Sequence, residues 1–258
     1  MSLYQVEAII LKARNLGEAD KILTLLTKEH GKLDAVAKGV RKIKSKNRGA
    51  VQPFSQSRIM LYQGKNLDTV TQCELIAGFP KIRTNLDRLV YSGYLAELTS
   101  WMLPEKDSNQ EVYFLLLATW HLLENAGSTE LMEIIVRFYE IRMLNLLGYQ
   151  PELEACLVCG NLIISQEVYF SPGLGGLLCS NCKAQDLKAI PLTKGTIAVW
   201  RQLAVMDIYN INRLKLREQE RSALENVLQS FIEYQLEYKL KAAQFVQELK
   251  QLKKRTIV

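Results

Sequence analysis

The sequence predicts an α+β protein: a five-stranded barrel of the OB type over residues 1–80, followed by an all-helical domain over residues 81–258 that carries an inserted four-cysteine module at about residues 152–190. Three observations lead there. The 258 residues exceed one ordinary domain of about 150. After Gly78-Phe79-Pro80 the apolar residues stop recurring in short β-rich runs and recur instead every three or four positions. Two Cys-x2-Cys pairs then interrupt the helical pattern. With 48% hydrophobic and 23% charged residues, the composition is that of a folded globular chain and excludes the disordered and collagen-like classes.

Five runs rich in Ile, Val, Leu, Thr and Tyr read as strands: "YQVEAIILKA", "DKILTLLTKEH", "KLDAVAKG", "SRIMLYQG" and "LDTVTQCEL". Turn residues separate them at Asn15–Gly17, His30-Gly31, Gly49–Pro53 and Gly64–Asn66. Five short strands in so small a span suit a closed barrel, although their count alone does not separate an OB-type from an SH3-like one. "KIRTNLDRLVYSGYLAELTSWML" then places Ile82, Leu86, Leu89, Val90, Tyr94, Leu98 and Trp101 on one helical stripe. A second helix, "QEVYFLLLATWHLLENAG", ends at Gly127, and a third runs from the cap candidates Ser128-Thr129 to Gly148. Beyond the cysteines, "TKGTIAVWRQLAVMD" and one long run from Glu218 to Arg255 predict further helices.

The charge is unevenly placed. Residues 1–80 hold 13 basic and 7 acidic side chains, whereas residues 81–258 hold 20 of each, so the whole excess of +6 sits in the N-terminal part. Between Asp34 and Asp68 there are eight Lys or Arg and no acidic residue, and six of them cluster: Lys38, Arg41, Lys42, Lys44, Lys46 and Arg48. A solvated loop is the plain reading of such a run. A full window without acid beside a barrel groove points instead to a polyanion, with Tyr4, Phe54 and Tyr62 as candidate stacking faces, although core packing is the first reading of each aromatic. A membrane-surface helix would need apolar residues interleaved with the charges, and only Val40 and Ile43 interrupt them. The C-terminal "KQLKKR" reads as a solvated tail or a favourably charged helix end, with a nucleic-acid contact as the lesser alternative.

Cys156-x2-Cys159 and Cys179-x2-Cys182 lie at the spacing of a four-thiolate zinc site, with zinc as a structural cofactor, one per chain. Two disulfides or a redox pair are the alternatives. The apolar content of residues 152–190 is too low for the module to fold without metal. Cys73 stands alone and reads as a small buried residue. No phosphate-cradling loop, nucleophile elbow or paired His and carboxylate motif is present, so the expectation is a binding protein and not an enzyme. No apolar run reaches the about 20 residues of a membrane span and no stretch reads as a secretory signal, which predicts a cytoplasmic protein.

"GEADKILTLLTKEHGKLDAVAKGVRK", "QPFS", "LYQG" and "YLAELT", together with "LLGYQPELEACLVCG" and "FSPGLGGLLCSNC", resemble the bacterial RecO family of recombination mediators and DNA repair proteins. The resemblance implies an OB-fold, a helical domain with zinc in many members, binding of single- and double-stranded DNA, annealing of complementary strands, and action with RecR in loading RecA onto DNA coated by single-strand binding protein. It implies that Lys38, Arg41 and Lys42 of "AKGVRK" contact DNA, that Lys44, Lys46 and Arg48 extend that segment, and that the four cysteines bind zinc. The protein would work in the cytoplasm, at the nucleoid. From the residues alone, an RNA-binding module remains the competing reading.

Overall fold

The computed structural model describes residues 2–42, 49–163 and 167–256. Its chain divides into two compact units, Met1–Asn125 with Gln244–Val258 and Ala126–Ala243.

In the first unit, strands β1 (Leu3–Leu16), β2 (Asp20–Thr27), β3 (Gly31–Ala37), β4 (Ser55–Tyr62) and β5 (Asp68–Gly78) are hydrogen-bonded in the order β1-β2-β3-β5-β4, and β1 pairs back onto β4. All pairings are antiparallel except β3 with β5, a parallel seam of three residue pairs from Ala35↔Asp68 to Ala37↔Val70. Alternate residues face inward, as a period of two demands. Val6, Ala8 and Ile10 of β1, Leu23 and Leu25 of β2, Leu33, Ala35 and Ala37 of β3, and Ile59 and Leu61 of β4 form one buried cluster, closed by Val40 and Val51 from the connection between β3 and β4.

Helices α1 (Pro80–Thr84), α2 (Leu86–Met102) and α3 (Gln110–Asn125) belong to this same unit. Proline opens α1, and the Glu124 carboxylate at the end of α3 accepts the N–H groups of Lys81 and Ile82 at 3.0 and 2.9 Å. Asn85 interrupts the expected single helix. Its extended backbone ends α1, and its side chain accepts the Arg88 N–H to start α2. Val90, Tyr94 and Leu98 of the anticipated stripe are buried, whereas Leu86 and Trp101, in the first and last turns, are exposed.

The second unit is built on α4 (Thr129–Leu146), with Ser128 as its cap. A three-stranded sheet follows, of β6 (Val168–Ser171), β7 (Gly176–Cys179) and β8 (Ile190–Leu192), in the order β7-β6-β8. Helices α5 (Lys194–Val205), capped by Thr193, and α6 (Glu218–Leu236) complete the core. Phe170 of β6 meets Trp200 of α5 and Phe231 of α6 at ring separations of 5.2 and 5.3 Å. The last helix, α7 (Lys241–Thr256), starts after a break at Glu237, and from Gln244 it counts with the first unit.

The fold class expected above, an OB-type barrel followed by an all-helical domain with an inserted four-cysteine module, is therefore corrected. The N-terminal unit is not a barrel standing alone, because three helices and the end of α7 are part of it. The C-terminal unit is not all-helical, because the cysteine module supplies a sheet whose Val168, Phe170, Leu177 and Leu178 are buried. Strands of three or four residues among glycines and cysteines carry too few alternations to register as a period.

Candidate nucleic-acid interface and candidate metal centre

At the end of β3 the chain enters a turn in which Lys38, Arg41 and Lys42 are exposed while Val40 is 2% exposed and joins the barrel core. Gly39 takes φ 67°, a left-handed conformation that costs glycine little and other residues more. Its N–H donates to Asp20 Oδ1 at 2.7 Å, and the Lys42 N–H returns to the Gly39 carbonyl at 3.2 Å. The Arg41 N–H donates to Ala19 O at 3.0 Å, and its guanidinium donates to Gly17 O at 2.6 Å. The structure thus brings three of the six anticipated cations onto one fastened turn. Lys44, Lys46 and Arg48 lie outside the described residues.

The three aromatic candidates fare differently. Phe54, at φ 59°, packs its ring edge-on against Trp120 at 5.5 Å, which makes it a packing residue of the first unit. The Tyr4 hydroxyl donates to Asp68 while its ring meets His30 at 5.1 Å, and burial together with the Asp68 carboxylate raises its pKa above that of an ordinary phenol. Tyr62 remains 41% exposed. Within "KQLKKR", Lys253 pairs with Asp87 of α2, which the linear sequence did not indicate.

The metal centre draws on two knuckles. In the first, the Cys156 carbonyl accepts the Gly160 N–H at 2.8 Å, with Gly160 at φ 70°, and the Cys156 N–H donates to Asn161 O at 2.9 Å. In the second, Cys179 ends β7 and its carbonyl accepts the Cys182 N–H at 3.0 Å, just before a 3-10 turn over Lys183–Gln185. The register Val168↔Cys179 within the sheet, and the Cys179 N–H directed at Cys156 Sγ at 3.4 Å, set one knuckle against the other. All four sulfurs lie within 4.8 Å of one another, and Cys159 and Cys179 stand 3.9 Å apart. A tetrahedron of sulfurs around zinc at about 2.3 Å has an edge of about 3.8 Å, so the donor set fits that ion. All four cysteines are free thiols, which removes the disulfide alternative.

Their chemistry points the same way. Burial opposes ionisation of Cys156, yet N–H groups from Cys159, Cys179 and Val158, with the Cys159 side chain, outweigh it and bring its thiol down to about 6. Cys182 is pushed up to about 12, first by its hydrogen bond to Cys179, then by desolvation and its bonds to Cys159 and Cys156. One thiolate forms readily and the last resists, a conflict that a divalent cation relieves. Cys73 stands apart, half-buried against the barrel core and pushed up to about 11 by desolvation.

Two family models match the chain and meet just after β5, not at the Asn125–Ala126 boundary between the compact units. The family model for the recombination protein O N terminal matches residues 1–79, and that for the recombination protein O C terminal matches residues 83–244. The chain is 39% identical over 246 residues to the DNA repair protein RecO of Pelotomaculum thermopropionicum, covering 95% of this chain and 94% of that protein. It is 39% identical over 249 residues to the DNA repair protein RecO of Desulforamulus reducens, covering 96% of each. Against the DNA repair protein RecO of Dehalococcoides mccartyi it is 36% identical over 246 residues, covering 95% of this chain and 96% of that protein. These matches, in order along the chain, class it with the proteins of DNA recombination and repair. The chain belongs to the recombination protein O family.

Proposed function

We propose that this protein is a DNA repair and recombination mediator that binds single- and double-stranded DNA, anneals complementary strands and, with RecR, helps load RecA onto DNA coated by single-strand binding protein. The observation that carries the reading is the family match, continuous through both units. The exposed turn at Lys38, Arg41 and Lys42 supports it chemically. Neutralising one strand's phosphates lowers the repulsion between two strands, so pairing needs no nucleotide and no bond chemistry. Lys44, Lys46 and Arg48 extend the same contact. The cysteine cluster holds zinc, which supplies a structural cross-link between the knuckles and leaves no open coordination position. The protein acts in the cytoplasm at the nucleoid; among the described residues, no helix is long and apolar enough to cross a membrane.

The test is fluorescence-monitored annealing of complementary oligonucleotides, bare or coated with single-strand binding protein, without ATP. Wild type should accelerate pairing. Lys38→Ala, Arg41→Ala and Lys42→Ala together should remove most of the effect and flatten the salt dependence of single-strand affinity by about two log units per decade, at about 0.7 per contact. Equal acceleration by the triple variant, or acceleration that requires ATP, defeats the proposal; a preference for RNA strands without annealing moves it to an RNA-binding role.

A further inference from the structure

The cationic turn is clasped by the β1–β2 connection. Asp20 Oδ1 takes the Gly39 N–H at 2.7 Å, and Gly17 and Ala19 offer carbonyls to the Arg41 guanidinium and N–H at 2.6 and 3.0 Å. Two of these three contacts are accepted by backbone carbonyls. The third depends on one carboxylate. On charge alone that carboxylate is misplaced, because an anion beside Lys38, Arg41 and Lys42 repels the polyanion those cations would meet.

We propose that Asp20 is a positioning residue for DNA binding: by accepting the Gly39 N–H it holds the Lys38–Lys42 turn in one conformation, with Val40 buried and the three cations exposed. A turn ordered in advance does not lose its conformational freedom when phosphates arrive, and that gain exceeds the repulsion from one negative charge. Gly39 belongs to the same device, since its left-handed φ of 67° orients the N–H that Asp20 receives. The inference rests on the reading of this turn as a DNA contact and names a residue that the basic run does not contain.

The two accounts differ in sign. If Asp20 acts only through its charge, any neutral substitution tightens DNA binding. If it acts by holding the turn, the outcome depends on whether an acceptor remains. The experiment measures affinity of the full chain for a labelled oligothymidylate by anisotropy across a series of NaCl concentrations, with the melting temperature of each variant. Asp20→Asn keeps an acceptor oxygen, loses the charge, and should bind at least as tightly as wild type. Asp20→Ala keeps all three cations but should bind about three- to tenfold more weakly at low salt, the loss expected when one ordering hydrogen bond is removed. If Asp20→Ala does not fold, Asp20→Ser, with a shorter acceptor, replaces it and should fall between wild type and the triple Lys38, Arg41, Lys42 variant. Asp20→Ala (or Asp20→Ser in its place) binding as tightly as wild type overturns the proposal, and so does Asp20→Asn weakening as much as Asp20→Ala. If the triple variant also binds like wild type, the DNA reading of the turn fails with it; a weakened triple variant beside an unaffected Asp20→Ala removes the Asp20 role alone.

Discussion

Five cysteines divide by surroundings. Cys159 is exposed, while Cys73 is half-buried, its sulfur 3.5 Å from the Ala50 carbonyl and its thiol pushed up to about 11 by desolvation. Alkylation of reduced, chelator-treated protein at neutral pH should therefore modify Cys159 well before Cys73, as peptide mass mapping would read out. For Cys73 the folded state holds its proton more tightly than the unfolded chain does. Its contribution to stability is complete below about pH 9 and is lost as pH rises toward about 11. Cys156→Ser should abolish stoichiometric metal, whereas Cys73→Ser should leave it unchanged; elemental analysis separates the two. For Phe54 and Tyr4 a packing role was legible in the sequence but the partners were not, because Trp120 and Asp68 lie 66 and 64 positions away from them.

Among the elements, helix bodies followed their periodicity and helix breaks did not. Ser128 and Thr193 cap α4 and α5 by accepting N–H groups three residues on, the signal their side chains advertise. The run from Glu218 to Arg255 reads as one helix, yet Glu237 takes φ 51° and splits it into α6 and α7, with Leu240 then 1% exposed. No glycine or proline marks the site, and burial of Leu240 accompanies the break. Glu237→Gly should stabilise the protein by roughly 0.5–1 kcal/mol in thermal or denaturant unfolding, since glycine adopts that conformation without a Cβ clash. Within the second unit, Phe170→Ala should cost about 3–5 kcal/mol, because the ring sits fully buried between Trp200 and Phe231.

Across the molecule, charge and metal chemistry fall on different units. The basic turn lies in the first and the four thiols in the second. Stripping the metal should loosen residues 152–192 and lower the stability of the second unit, because coordination energy in such sites is largely folding energy. Val168, Phe170, Leu177 and Leu178 are buried, so the loss should centre on the module and its sheet. The DNA affinity proposed for Lys38, Arg41 and Lys42 should survive. Protons compete with metal for thiolates, so chelator-driven release should speed up as pH falls from about 7.5 to about 5.5. Hydrogen exchange on the two units, with metal release followed by a chromophoric chelator, checks both outcomes.

The strands of the first unit, the cap of α4, the cationic run and the Cys-x2-Cys spacings were determined by the sequence alone. Each is local: a period of two, a side chain reaching three residues, a charge count, or two thiols within one turn. Tertiary structure decided the rest, because the deciding partner was far along the chain. It paired β6 with both β7 and β8, broke the last helix at Glu237 and engaged Lys253 with Asp87. It also placed Asp20 under Gly39, 19 positions away, where hairpin pairing brings together groups that no linear spacing relates.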